Sequence, residues 1–448
     1  MKEARRMLSK KTTFSLLSVC LMLTACSGKD SASAPGNEGK SGDAASDART
    51  IVDTPTTLTL TQPGLSEEQF NIRYGAQLRT AFPKYTFQYI STTGTNFGDL
   101  IATNPQLDLL FTSASGMPTY LTSYKLENSI NDLIAKNKYD LNRLQATPID
   151  MQKKLSDGQV YGFPINIGTL VFLYNKDLFD KFGTAYPADN MTWDEVYELA
   201  RKMTRTDGGV AYKGLMFAWE HIVGWNQLSA LYFNTSTNKA QLTNNDQIKR
   251  VFENAARIWS IPGNEPPNNA YSLGGMRDWF LKDQTVAMYM DADGLIKMTA
   301  DALKNWDLAK YPVFPDKKGV GPSPNPTFAS ITKLSKNRDA AFQVLNYLTS
   351  NEYQEWAARN LGYMPSLRDA QPIMEHFGKD IPSFAGKNSK ALVFDSYADM
   401  QQASPYYGLG VIEMSKAINE HLKGKDVNTV LREANERADK AVAEQLAR

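Results

Sequence analysis

The chain has 448 residues, with 49 lysines and arginines against 48 acids, a formal charge of +1 and two cysteines. Such a balance excludes the strongly basic surface that nucleic acid demands and implies no strongly acidic partner. The length exceeds what one compact core accommodates and predicts two lobes.

The N-terminus is basic and then apolar: Lys2, Arg5, Arg6, Lys10 and Lys11 stand against Glu3, and "FSLLSVCLML" follows. These are the n-region and h-region of a secretory signal. The apolar stretch from Phe14 to Leu23 is about half the roughly 20 residues a membrane-spanning helix needs. It runs into "LTAC", which resembles the lipobox of bacterial lipoproteins, with Cys26 as the acylated first residue of the mature chain. Cys20 lies inside the segment to be removed, so the mature chain keeps one cysteine and forms no internal disulfide, although export would permit one. Removal of residues 1–25 takes away five basic groups and one acid and moves the formal charge from +1 to −3.

Residues 26–55, among them "SGKDSASAPGNEGKSGDAASDART", have no periodic apolar positions and read as a flexible tether. Its root-mean-square reach is on the order of 25 to 30 Å. "GKS" at Gly39 to Ser41 is no phosphate loop, because the first glycine of that pattern falls on Ala34 and no strand or helix flanks it.

"TTLTLTQ" from Thr56 alternates at strand period, and Ser66 then caps a helix with Phe70, Tyr74 and Leu78 on one face. "YTFQYIS" reads as a strand, "TNFGDLIAT" as a helix and "LDLLFTS" as an apolar strand. This β-α-β-α-β order predicts a parallel sheet, and ligands collect at the carboxyl ends of such strands, making "TQPG" and "FTSASG" candidate site edges. "NMTWDEVYELARKM" carries a capping box at Thr192 and Glu195, with Trp193 as a packing residue. "NRDAAFQVLNYLTSNEYQEWAARN" and "NTVLREANERADKAVAEQLA" read as amphipathic helices.

Catalytic patterns are wanting. His221, His376 and His421 are dispersed and form no HExxH pair, so no zinc site is expected. "TSASG" lacks the first glycine of a nucleophile elbow, and "DADG" (Asp291 to Gly294) lacks the third acid and terminal glutamate of a calcium loop. A carboxylate pair for glycoside hydrolysis needs only to meet in space, and a surface-tethered hydrolase is therefore the alternative reading. Aromatic and polar residues gather outside helix faces. "FAWEHIVGWNQLSALYFN" sets Trp219, His221, Trp225 and Asn226 at a loop entering an apolar helix, while Tyr363, Tyr406 and Tyr407 sit in loops rich in glycine and proline. Flat rings beside directional polar groups suit a carbohydrate pocket.

"DGQVYGFPINIGTLVFLYNKDLFDKFG", "MTWDEVYELARKMT", "FLKDQTVAMYM" and "ITKLSKNRDAAFQVLNYLTSNEYQEWA", in that order, resemble extracellular solute-binding protein family 1, the capture subunits of ABC importers for sugars and oligosaccharides. The likeness runs from about Thr56 to the C-terminus. It implies a two-lobed α/β fold of the periplasmic-binding-protein kind, type II, each lobe a mostly parallel sheet flanked by helices, joined by a multi-strand hinge. Residues 56–164 and 310–332 would form one lobe, 165–309 and 333–448 the other. The crossings would be "YGFPINIG", with Pro164 at the strand entry, a segment beginning at "YPVF" (Tyr311 to Phe314), and a third near "ITKLSKN".

Phe111, Thr112 and Ser113 would line the cleft from the first lobe, and Asn166, Trp219, Trp225, Asp291, Tyr363 and Tyr406 from the second lobe or hinge. The Gly-x-Trp element that often follows the "AM" strand is replaced here by Asp291, Ala292, Asp293 and Gly294. That exchanges a stacking contact for carboxylate hydrogen bonding, suited to a polar or cationic solute. The implied protein is a monomeric, non-enzymatic receptor without cofactor or metal, lipid-anchored at Cys26 (palmitate) on the outer face of the bacterial cell membrane and serving an ABC permease.

Overall fold

The computed structural model describes residues 54–92, 94, 96–400 and 404–447, so Cys26, the signal segment and nearly all of the tether lie outside the described residues. Arg49–Arg448 form one unit. Its strands, in chain order, are β1 (Thr56–Thr61), β2 (Tyr85–Tyr89), β3 (Leu109–Ser113), β4 (Gly162–Asn166), β5 (Leu170–Asn175), β6 (Arg205–Asp207), β7 (Val210–Phe217), β8 (Val286–Ala292), β9 (Trp306–Ala309), β10 (Val320–Gly321), β11 (Thr327–Ile331) and β12 (Ser396–Tyr397).

Two five-stranded sheets carry the architecture. The first has the order β2-β1-β3-β11-β4, with β1 parallel to β2 and β3, and β11 antiparallel to both β3 and β4. Its core follows from the period-2 pattern of β1, whose Leu58 and Leu60 are fully buried. Ser66 accepts a hydrogen bond from the Gln69 N–H at 3.2 Å and starts the first helix. That helix widens into a π-helical turn at Asn71–Gly75 before Ala76–Ala81 resumes, with Phe70, Tyr74 and Leu78 all buried.

The second sheet has the order β6-β7-β8-β5-β9. It is mixed rather than mostly parallel: β7 and β8 run parallel, while β5 is antiparallel to β8 and β9, and β6 and β7 form a hairpin. The helix Trp193–Met203 packs on β7 and β8, and its capping box at Thr192 and Glu195 is complete. Trp193 is buried edge-on against Tyr311, centroids 5.4 Å apart, as a packing residue.

The structure corrects two further expectations. No helix follows Trp225. The Asn226 side chain accepts the N–H groups of Leu228 and Ala230, both at 3.0 Å, and donates to the carbonyls of Val223 and Ala230, so it takes over partners a helix would have used. The third crossing also falls later than "ITKLSKN". The helix Arg338–Leu348 packs on β1, β4 and β11 and itself supports Asn351–Leu361, so the chain stays on the first sheet to residue 361.

Candidate functional site

Three segments pass between the sheets and are bonded to one another. Ile167–Thr169 leads from β4 to β5, residues 310–326 lead from β9 to β11, and Tyr363–Leu367 leads away from the helix that ends at Leu361. The Ile167 N–H donates to the Met364 carbonyl and the Asn325 N–H to the Gly168 carbonyl, each at 2.9 Å. Pro322, Pro324 and Pro326 leave the stretch 322–326 with two backbone donors, and both are used: Asn325 on Gly168, and Ser323 on the Trp225 carbonyl at 3.0 Å. Gly168 is required by the approach, since a Cβ there would lie 2.5 Å from the Asn325 carbonyl oxygen. Gln354, buried, locks the bundle: its Nε2 donates to the Ile165 carbonyl at 2.8 Å and its Oε1 accepts the Ser366 N–H at 2.7 Å.

Strand ends converge on this hinge from both sides. Ser113 and Asn166 end β3 and β4, and each is the register partner of Thr327 at the start of β11, so the three form a row. Asn166 Oδ1 accepts the Thr327 N–H at 3.1 Å, and Ser113 Oγ caps the turn after β3 by accepting the Gly116 N–H at 3.2 Å. From the second sheet, β8 ends beside β5, where the Asp293 N–H bonds to the Thr169 carbonyl at 2.9 Å. Carboxyl ends of α/β strands are where ligands collect.

Two clusters stand on these ends. In the second lobe Asp291, fully buried, accepts hydrogen bonds from His221 Nδ1 at 2.6 Å, Arg277 Nε at 2.7 Å and the Ala292 N–H at 2.7 Å. Burial alone would raise its pKa, and the His221 and Arg277 bonds outweigh that and hold it below the usual carboxylate range. The His221 ring stacks on Trp225, centroids 4.8 Å apart, and the Trp225 indole shares a hydrogen bond with the Tyr407 hydroxyl. Burial raises the neighbouring Glu220 carboxyl, whose Oε2 is enclosed without a partner.

The second cluster bridges the walls. Arg73, in the π-helical turn, lies 6.0 Å from the centre of the Tyr363 ring. Burial raises the Tyr363 phenol; Arg73 lowers it and Asp293 raises it further, so Tyr363 stands within reach of both charges. Burial raises Tyr397, and Asp293 adds to the rise. Tyr397 also lines, with Met364 and Arg368, a groove of about 210 Å³ beside the third crossing. Among the described residues no three histidine, cysteine or acidic side chains are grouped to hold a metal ion.

Of the residues expected to line the cleft, Ser113, Asn166 and Tyr363 are half-exposed at the converging ends, and Trp225 and Asp291 join through His221. Thr112 is 3 % exposed. Phe111, Trp219 and Tyr406 stand apart from these clusters, in the core. Phe111 packs on Tyr74 at 4.9 Å, Trp219 lies between Phe252 and Trp259 with its indole N–H on the Met414 carbonyl, and Tyr406 packs on Phe233. Asp293 belongs to the segment whose acids replace an expected aromatic element. Nothing in the sequence pattern singles out Arg73, Arg277 or Tyr397, and Arg73, set by a π-helical turn, has no local signal.

The family of bacterial extracellular solute-binding proteins matches residues 75–355. The sn-glycerol-3-phosphate-binding periplasmic protein of Rhizobium meliloti is 22 % identical over 336 residues, covering 70 % of this chain and 75 % of its own. The lactose-binding protein of Rhizobium radiobacter is 24 % identical over 410 residues, covering 83 % and 90 %. Among solved structures, the sugar-binding protein of Xanthomonas citri superposes with a TM-score of 0.69 at 17 % identity over 87 % of this chain and 98 % of its own. A substrate-binding protein of Listeria monocytogenes in complex with cycloalternan gives 0.65 at 18 % identity over 87 % and 99 %. The chain shares the two-lobed α/β form of these structures, and it belongs to the bacterial extracellular solute-binding proteins.

Proposed function

We propose that the protein is a lipid-anchored receptor on the extracytoplasmic face of the bacterial membrane that captures a sugar or oligosaccharide between its lobes and delivers it to an ABC permease. The observation that carries this reading is the convergence at the hinge of Ser113, Asn166, Trp225, Tyr363 and Asp293, which joins flat rings to directional polar groups. The relatives named for binding lactose and other sugars, and one named for binding sn-glycerol 3-phosphate, support a small polyhydroxylated ligand. The lobes are read as residues 56–164 with 327–361, and 170–309 with 407–448. Cys26 in "LTAC" is the anchor, and multiple acyl chains make such a hold durable where one is marginal.

Open lobes expose the cleft, and a solute touching both walls favours closure by its differential contacts. Micromolar affinity corresponds to about 8 kcal/mol, within reach of a few desolvated hydrogen bonds and one or two stacked rings, with no covalent step. A thermal-shift screen against mono- and oligosaccharides, polyols and phosphate esters tests the reading: a specific member raises Tm with concentration and is recovered intact. Trp225→Ala abolishes the shift while the protein stays folded. Turnover of the solute, or a shift untouched by Trp225→Ala, would refute the receptor reading or the site respectively.

A further inference from the structure

Asp293 follows β8 directly and stands half-buried at the hinge, with the backbone N–H groups of Thr169 and Gly294 directed at its carboxylate. Among the described residues it joins no ion pair. The basic side chains that flank β8 in its own lobe, His221 and Arg277, are both bonded to Asp291, and Arg73 on the opposite wall stands over Tyr363. Two tyrosines stand within electrostatic reach of this carboxylate: Tyr363 from the third crossing and Tyr397 from β12.

Resting on the receptor reading above, we propose that Asp293 seats a protonated amine of the solute, so that the ligand class is an amino sugar or an oligosaccharide containing one. A neutral sugar closing over Asp293 strips water from an anion and returns hydroxyl donors but no charge. An ammonium group brings the charge and three donors, and the neighbouring phenol rings favour a cation over their faces.

The alternative compensation is a proton. Burial pushes the Asp293 carboxyl up to about 7, only partly offset by the backbone N–H groups of Gly294, Asp293 and Thr169 and by His221. The two compensations have opposite signs. An amine binds the ionised form, displaces the proton and gains affinity as pH rises through about 7; a neutral sugar needing the protonated form loses affinity over the same interval. The groups facing Asp293 are His221 from the helix Trp219–Gly224, Tyr363 and Tyr397, with Arg73 beyond Tyr363 and Asp291 two residues back on β8.

The test is calorimetry on the full-length protein in detergent with matched probes: glucose, glucosamine and N-acetylglucosamine, then cellobiose, chitobiose and the de-acetylated chitobiose. The amine of a matched set binds roughly ten- to a hundred-fold tighter than its neutral partners, the span of one charge-assisted hydrogen bond, and more tightly at pH 8 than at pH 6. Asp293→Asn removes that preference by weakening the amine ten-fold or more beyond any change in its neutral partner, and thermal melting confirms the variant is folded. Equal affinity for amine and neutral sugar, a preference that survives in Asp293→Asn, or equal weakening of both overturns the inference. If only neutral members bind, the sugar-receptor reading stands without it; if no member binds, both fall.

Discussion

Replacing Asp291 by asparagine keeps the shape of the side chain and removes the charge that three donors share. The remaining oxygen can accept one or two of them, while the new NH₂ group faces either Arg277 Nε or His221 Nδ1, donor against donor. Asp291 is fully enclosed and the side chains of Arg277 and His221 are 27 % and 23 % exposed, so the loss lies between that of a surface pair and that of a wholly buried one. We expect about 3 kcal/mol of destabilisation. For the unit Arg49–Arg448, unfolding entropy near 2.1 cal/mol/K per residue converts this to a fall in Tm of about 3 to 4 °C. The assay is reversible melting at neutral pH with Arg277→Met and the double variant alongside. In the double variant the losses are less than additive, because the cation no longer lacks its partner. The sign with pH is fixed: Asp291 is held below its unfolded pKa, so its contribution is present above about pH 4 and is lost on further acidification, where wild type and variant draw together. A loss under about 1 kcal/mol, or strict additivity, would refute the network as a structural unit.

Gly214→Ala sets a Cβ 1.9 Å from the Ala200 carbonyl oxygen, between β7 and the helix Trp193–Met203, and should cost about 3 kcal/mol or more, read as lost Tm or soluble yield. Gly294→Ala, with nothing within 4 Å, is its neutral control. Gln354→Leu strands the Ile165 carbonyl and the Ser366 N–H inside the hinge; a loss of about 2 to 4 kcal/mol and faster amide exchange at Ser366 are expected. The Arg250 guanidinium holds Asp316 at a pKa of about 2, so carboxyl NMR of Arg250→Gln should show Asp316 titrating in the ordinary range, and the pair's contribution in wild type should fade as pH falls from about 4 toward 2.

Local signals were the legible part of this chain. β1 and β3 declare themselves by alternation and apolar run, and Ser66 and Thr192 by their caps, because each depends on neighbours within a few residues. Long-range packing was not legible. Trp219 and Phe111 have the residue type of a binding platform, and what consigns them to the core is contact with Trp259 and Phe252 in one case and Tyr74 in the other. Asp291 and Asp293 lie two residues apart with the same chemistry; the second is left unpaired because His221 and Arg277, distant in sequence, both reach the first. The late third crossing is likewise decided by where the helix Arg338–Leu348 packs.

The position of β11 in the first sheet bears on biogenesis. β4 touches no strand of that sheet except β11, which is made more than 150 residues later, after every strand of the second sheet and before the C-terminal helices. A growing or threading polypeptide therefore holds a gap at the middle of its leading half until residue 331 has arrived. Such a chain cannot lock prematurely into its finished shape, and a secretion channel that accepts only unfolded polypeptide would meet it while it is still open.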